Sequence, residues 1–568
     1  MTDSSLLRVA RGDAPADLLL RRGRVVNVFT GEVEEIDVAV AGSHIAGLGP
    51  GYDAAETVDL DGKYLIPGLI DAHVHLESSL ATPREFARAV VPHGTTTVIS
   101  DPHEIANVHG MEGIQYMLEA SEGLPLSVFV MASSCVPATS MGTAGATLDA
   151  ETLGDLLHHP RVLGLAEVMN FPGVIFEDPQ VMAKLGVFKG RVVDGHAPGV
   201  RGKELNAYIA GGPHSDHEST SPAEALEKMR RGMTVFFREA TNARNLLDLL
   251  PVLTPENRRR VCFCTDDRQP QDLLDLGGID AMMRLAIKEG VPPIEAIRLA
   301  TLNPAEHFRL LDRGAIAPGR RADFVILEKL EEVAIAEVYS GGVPVARAGV
   351  PLPWRLPIPP SPPPPSMAID WEAMDLRIVA REGTVRVIEA IPNQIVTGSL
   401  ELAPSVAHGH VVSDPSRDLL KIVVMERHRG SGRVGLGLVT GVGLERGAIA
   451  GTVAHDHHNL LAIGVDDESI HTAATKVAEM GGGLVVAEGQ GVLEALPLPV
   501  GGLMSTEPIE TLREVLDRLL EAARTLGSPL HDPFMAMSFL ALEVIPALKI
   551  TDQGLVDVDR FRKVGLWV

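Results

Sequence analysis

His73 and His75 stand one residue apart at the end of the run Leu65-Ile66-Pro67-Gly68-Leu69-Ile70-Asp71-Ala72-His73-Val74-His75. In an extended strand, residues i and i+2 face the same side, roughly 6.5–7 Å apart, so two imidazoles so placed converge on one point. Neutral imidazole is the commonest protein ligand for a catalytic transition metal. Further along the chain come Glu167 in Gly164-Leu165-Ala166-Glu167 and His196 in Val192-Val193-Asp194-Gly195-His196. His217 in Ser215-Asp216-His217-Glu218 and Asp266 in Cys262-Phe263-Cys264-Thr265-Asp266-Asp267 follow. A metal-dependent hydrolase needs several nitrogen and oxygen ligands, an open position for water, and a base to take the water's proton. His73, His75, Glu167, His196, His217 and Asp266 supply all three and are the expected ligand set.

These side chains need a scaffold that brings distant strand ends together. Between residues 64 and 310, apolar runs of four to eight residues alternate with helical stretches such as Pro83-Val91, Thr152-His158 and Ser221-Arg231. That alternation is the signature of parallel βα units. The candidate strands end at His73/His75, Asp101, Ala132, Glu167, His196, His217, Glu239 and Asp266, and eight is the number that closes a (β/α)8 barrel. Barrel enzymes carry their chemistry at the C-terminal ends of the strands, where seven of these eight place a titratable group. The expected fold class is therefore α/β, a TIM barrel. Short strands at residues 17–60 and again after Asp323 predict a small β domain composed of residues 1–63 and 311–350. The proline-dense stretch 351–366 reads as an extended linker, and residues 367–568 as a separate α/β-type domain.

Composition narrows the partners. The net charge is −25, with 50 basic against 75 acidic residues, and such a surface repels phosphate backbones and anionic headgroups. Neither nucleic acid nor membrane is expected as a partner. Cys135, Cys262 and Cys264 form no even disulfide framework, and Cys262 and Cys264 share one short strand where they read as core thiols. The N-terminal segment, with Asp3, Asp13 and Asp17, lacks a long apolar run. A soluble cytoplasmic protein is expected.

Three stretches resemble the bacterial adenine deaminase family within the amidohydrolase superfamily: Asp71-Ala72-His73-Val74-His75-Leu76-Glu77-Ser78-Ser79, Ser100-Asp101-Pro102-His103-Glu104-Ile105-Ala106-Asn107-Val108 and Cys264-Thr265-Asp266-Asp267-Arg268. The C-terminal Ala454-His455-Asp456-His457-His458-Asn459 is similar to that family's AHDSHN pattern, with His457 in place of serine. Ala240 after Arg238-Glu239, where glycine is more usual, and Pro213-His214 are further departures. Many amidohydrolases bridge two metals with a carboxylated lysine on strand four, and this chain has Glu167 there.

The resemblance implies hydrolytic deamination of adenine in purine salvage, with a metal-bound hydroxide attacking C6. It also implies two divalent ions, with manganese or iron favoured over zinc. Glu167 would bridge the ions, and Asp266 would be both ligand and proton acceptor. Glu104, just beyond strand two, is the candidate acid for a ring nitrogen. Glu77 and Glu218 are candidates for holding the second nitrogens of the ligand imidazoles. His103, His455, Asp456 and His458 are secondary candidates, and a homodimer is expected. The residues leave open another amidohydrolase acting on a cyclic amide or a different aminopurine, and an inactive barrel serving as a scaffold. The other zinc deaminase design, H-x-E with a later P-C-x-x-C, is excluded: His75-Leu76-Glu77 matches the first half, and no P-C-x-x-C follows.

Overall fold

The computed structural model describes residues 4–392 and 394–568. Eight short strands carry the central region: β1 Leu69–Val74, β2 Thr95–Ser100, β3 Ser127–Ala132, β4 Val162–Val168, β5 Val192–Gly195, β6 Ser215–Asp216, β7 Thr234–Arg238 and β8 Val261–Cys264. β1 to β5 pair in parallel in chain order, as do β6 to β8. The His214 amide donates to Val193 O at 2.9 Å, joining the two arcs. The Asp266 amide donates to His73 O at 3.0 Å and closes the ring between β8 and β1. This is the expected TIM barrel.

Alternation explains how each strand serves two cores. Val235 and Phe237 of β7 pack outward against the helices, while Phe236 joins Ile70, Ala72, Ile99, Met131, Ala166, Cys262 and Cys264 inside the barrel. Both cysteines of β8 are thus buried core thiols, as expected. The helices show ordinary start signals. Helix Pro222–Arg230, for example, opens with proline at its first turn, and the Ser221 side chain accepts from the Glu224 amide.

The run of residues 65–75 is two strands. Tyr64–Pro67 pairs antiparallel with Phe324–Leu327 and parallel with Arg24–Asn27 in a seven-stranded sheet of the flanking domain. The chain enters the barrel only at Leu69, five residues later than the expected boundary at 64. Gly68 makes the break possible, since a Cβ there would sit 2.2 Å from Thr96 Oγ1. The flanking strands also form a second, four-stranded sheet, and the neighbouring strands Glu32–Glu35 and Val38–Ala41 fall one in each.

Beyond the proline-rich stretch, the C-terminal region is built on an eight-stranded mixed sheet backed by helices Asp467–Glu479 and Ile509–Thr525. It covers the mouth of the barrel. The Asp552 carboxylate accepts from the Thr143 amide and hydroxyl at 2.8 and 2.7 Å, and Asn459 Nδ2 donates to Thr143 O at 2.9 Å. Between these bonds, Ile395, Phe539 and Leu542 pack on Cys135, Met169, Ala240 and Ala243 of the barrel loops.

Candidate metal centre

At the end of β1 the rings of His73 and His75 meet edge to face, with Nε2 atoms 3.1 Å apart. Glu167 Oε1 lies 3.5 and 3.2 Å from these two nitrogens, and Asp266 Oδ1 lies 3.7 and 3.2 Å from them. Metal–ligand bonds of about 2.0–2.2 Å set neighbouring donors roughly 3–3.5 Å apart around one cation, close to the spacing found. His75 Nδ1 meets the Asp101 carbonyl at 2.9 Å, so its N–H is committed there and the Nε2 lone pair faces inward.

The second oxygen of Glu167 faces another pair. Oε2 is 2.7 Å from His196 Nδ1 and 3.1 Å from His217 Nε2. One carboxylate therefore addresses two imidazole clusters through separate oxygens, which is a donor set suited to two cations. All six expected ligands meet here, and none is more than 4% exposed. Amid this much imidazole, Glu167 is held well below the usual carboxylate range: burial opposes its charge, but His217 and His196 outweigh it.

The chain pays attention to these positions locally. Asp266 adopts a left-handed φ of 56°, a conformation that costs a non-glycine residue about 1–3 kcal/mol and turns its carboxylate over the mouth. A Cβ on Gly195 would lie 2.2 Å from Ser215 O, so glycine permits the close approach of β5 to β6 beside His196. Behind His217, the buried Lys228 Nζ donates to Ala197 O and to Glu224 at 2.7 and 2.8 Å and pairs with Asp216 at 2.9 Å. That network ties the loops after β5 and β6 to each other.

Two contributors fell outside the expected set. β7 presents Arg238 to the site rather than Glu239. Its Nη1 lies 2.9 Å from Asp266 Oδ2 and also pairs with Glu218, while Nη2 reaches Glu218 Oε2 at 3.1 Å. Period-two alternation contained the signal, since Arg238 shares the inward face with Phe236. Asp101 is the other: its Oδ2 accepts from His103 Nδ1 at 2.8 Å. Asp266 is consequently well below its usual range, burial being outweighed by His75 and Arg238.

The secondary candidates divide. Glu218 approaches His196 Nδ1 and His217 Nε2 at 3.7 and 3.5 Å, on the ligand-facing side of the rings. Glu77 touches neither imidazole of β1. Its Oε1 accepts from the Ile105 amide at 3.2 Å, capping helix His103–His109, because the turn Leu76–Ser79 carries it away from the strand face.

Glu104 lies between the barrel and the C-terminal domain. His455 Nδ1 is 2.6 Å from its Oε1, His458 Nε2 pairs with its Oε2, and His103 Nε2 is 3.3 Å from Oε1. His458 Nδ1 accepts the Ala454 amide, which fixes Nε2–H as the donor to Glu104. Glu104, the candidate acid for a ring nitrogen, thus sits among three imidazoles. Burial alone would favour its neutral form, yet His455 and His458 hold it as a carboxylate. His455 and Asp456, placed second from the sequence, line the pocket with Phe539 and Leu542 as a roof, and His458 reaches it through Glu104. That pocket lies against His75, Glu167, His217 and Asp266 of the barrel mouth.

His457, between these residues, turns the other way. Its Nδ1 is 3.4 Å from Glu543 Oε2, and although burial disfavours the charged ring, Glu543 raises it to about 9. A histidine raised on folding contributes stability that is complete below about pH 6.5 and fades as pH climbs through 9, here roughly 3 kcal/mol at most. Thermal unfolding of wild type and His457→Gln across pH 6–10 should show the wild type's advantage shrinking over that window. Parallel curves would contradict this assignment.

Known proteins agree with the architecture. The amidohydrolase family profile matches residues 64–345, and that of the adenine deaminase C-terminal domain matches residues 394–562. The chain is 51% identical over 569 residues to an adenine deaminase of Desulfatibacillum aliphaticivorans, covering all of both chains. It is 48% identical over 577 residues to one of Oleidesulfovibrio alaskensis, covering 100% of this chain and 99% of the relative. It is 50% identical over 572 residues to one of Cereibacter sphaeroides, covering 98% of each. Matching profiles on both the barrel and its roof, together with similarity along the full length, establish that the chain belongs to the adenine deaminase family of amidohydrolases.

Proposed function

We infer that the chain hydrolyses adenine to hypoxanthine and ammonia. The observation that carries this reading is full-length similarity to adenine deaminases, combined with convergence of all six metal-binding candidates under the C-terminal roof. Incubating the metal-loaded protein with adenine and following the purine absorbance tests it. Conversion to hypoxanthine supports it, and turnover of a cyclic amide with none of adenine would replace it. An inactive scaffold barrel would be expected to have lost ligands, and none of the six is missing.

His73, His75, Glu167 and Asp266 would hold one divalent cation, and Glu167, His196 and His217 a second. Imidazole and carboxylate donors without thiolate suit manganese or iron, with zinc as the alternative. Bound there, the cations supply water that ionises near neutral pH. Asp266 accepts the proton as that water's oxygen adds to C6 of adenine, and passes it to the departing amino group. Arg238 holds the far oxygen of Asp266 and keeps the near one aimed at the site. Glu104 relays a proton from His455 to the ring nitrogen beside C6. The proton freed as the C6 carbonyl forms restores the pair, so adenine and water leave as hypoxanthine and ammonia.

Glu104→Gln should retain both metals and lower kcat by roughly 100-fold or more, because the amide cannot relay the proton. Metal analysis and turnover on the same sample check this, and near-normal kcat would remove Glu104 from the reaction. The reading also makes the protein a cytoplasmic homodimer. Three free buried thiols fit a reducing compartment, and among the described residues no helix is long and apolar enough to cross a membrane. Light scattering on the purified protein tests the dimer.

A further inference from the structure

Two polar atoms on residues of the C-terminal domain that line this pocket have no partner. Asp456 Oδ2 and His455 Nε2 are both buried and unbonded, on side chains 2% and 3% exposed. Leaving a buried polar atom unpaired costs about 1–3 kcal/mol, so such a pair at a substrate cavity points to a ligand that satisfies it.

The His455 ring is not free to turn away. It is fixed from both sides: its Nδ1 is taken by Glu104 at 2.6 Å, and its face stacks on Phe539 at 4.7 Å with an 8° interplanar angle. Asp456 Oδ1 stands 3.7 Å from His103 Nε2 and 3.8 Å from His455 Nδ1. The remaining atoms, one acidic oxygen and one imidazole nitrogen, stand on neighbouring residues beneath an apolar roof of Phe539, Leu542 and Ile395. A flat heteroaromatic ring with one N–H beside a ring-nitrogen lone pair complements that pattern. The free purine base has such an edge at N9–H and N3, opposite the C6 amino group.

We propose that Asp456 and His455 determine specificity for the free nucleobase: Asp456 Oδ2 accepts the ring N–H at N9 and His455 Nε2 bonds the neighbouring ring nitrogen, so the C-terminal domain rejects purines substituted at N9. This rests on adenine being the substrate. A site built to bond an N–H discriminates strongly against an analogue lacking it, because its own buried group is then left unpaired, and ratios of roughly 10⁴ are attainable.

The test compares adenine with 9-methyladenine on the metal-loaded full chain, as wild type, Asp456→Ala and Asp456→Asn. Wild type should prefer adenine by at least about 10³-fold in kcat/KM. Asp456→Ala should bring that ratio down by about 100-fold or more, through a higher KM for adenine and with metal content unchanged. Asp456→Asn keeps an acceptor oxygen and should restore most of the discrimination, which a purely structural aspartate would not require. Equal use of both purines by wild type overturns the proposal, as does an unaltered ratio in a folded, metal-loaded Asp456→Ala. Failure of wild type to deaminate adenine at all would instead reject the underlying activity. If Asp456→Ala does not fold, the Asp456→Asn ratio and the wild-type ratio still decide.

Discussion

Asp266→Asn should lower kcat for adenine by roughly 10³-fold or more while leaving the barrel folded. The carboxylate does two things with two oxygens: Oδ1 faces the imidazoles of His73 and His75, and Oδ2 is held by Arg238 at 2.9 Å. Asparagine matches its shape but offers one acceptor and one donor. If the amide nitrogen faces Arg238, two donors oppose each other inside a buried site. If it faces the imidazoles, a ligand is lost. Neither orientation supplies a group able to accept the water's proton. Metal analysis separates the cases, because unchanged metal content with collapsed kcat isolates the proton-transfer role, whereas reduced content reveals the flipped amide. A kcat within tenfold of wild type at full metal content would remove Asp266 as the base.

The same residue shows what a single chain of letters can reveal. The barrel was legible because most of its strands come from apolar runs that end where polar residues begin, and burial on both faces leaves that composition in a parallel sheet. The convergence of the six candidate ligands was legible for the same reason, since a strand end fixes both position and direction. The candidate strand end at Glu239 falls one residue past β7, and the pleat sends Arg238 inward with Phe236. One residue of register exchanges the faces of a strand, and no composition records it.

Contacts between distant segments were beyond the sequence. Glu104 and His455 are separated by more than 350 positions, and only the docking of Asp552 and Asn459 on the Thr143 loop brings them together. The role of Glu104 changed for that reason. Read alone, a glutamate at the start of a helix is an acid or a dipole charge. In the folded chain it is clamped between two imidazoles of the C-terminal domain, which is what supports reading it as one end of a proton relay. Residues 65–75 misled in the opposite way, since strand propensity is continuous there while the sheet partner changes at Gly68.

On the proposed two-cation site, Glu167→Ala should reduce bound metal from two ions per chain to one or fewer and abolish measurable deamination. The argument is one of coordination. Without Glu167, the first position keeps His73, His75 and Asp266, three donors around a divalent cation. The second keeps only His196 and His217, two neutral imidazoles with no charge to balance an ion in a buried mouth. Electrostatics act in the same direction, since five imidazoles, counting His103, lose the carboxylate whose oxygens lie within 2.7–3.5 Å of them. Metal-dependent stabilisation should shrink accordingly, because a ligand that binds only the folded state raises stability with the logarithm of its concentration over Kd. Titrating manganese into chelator-treated wild type should raise Tm by several degrees, and the same titration on Glu167→Ala should raise it far less. Two ions retained per chain in Glu167→Ala would show that another group bridges the site.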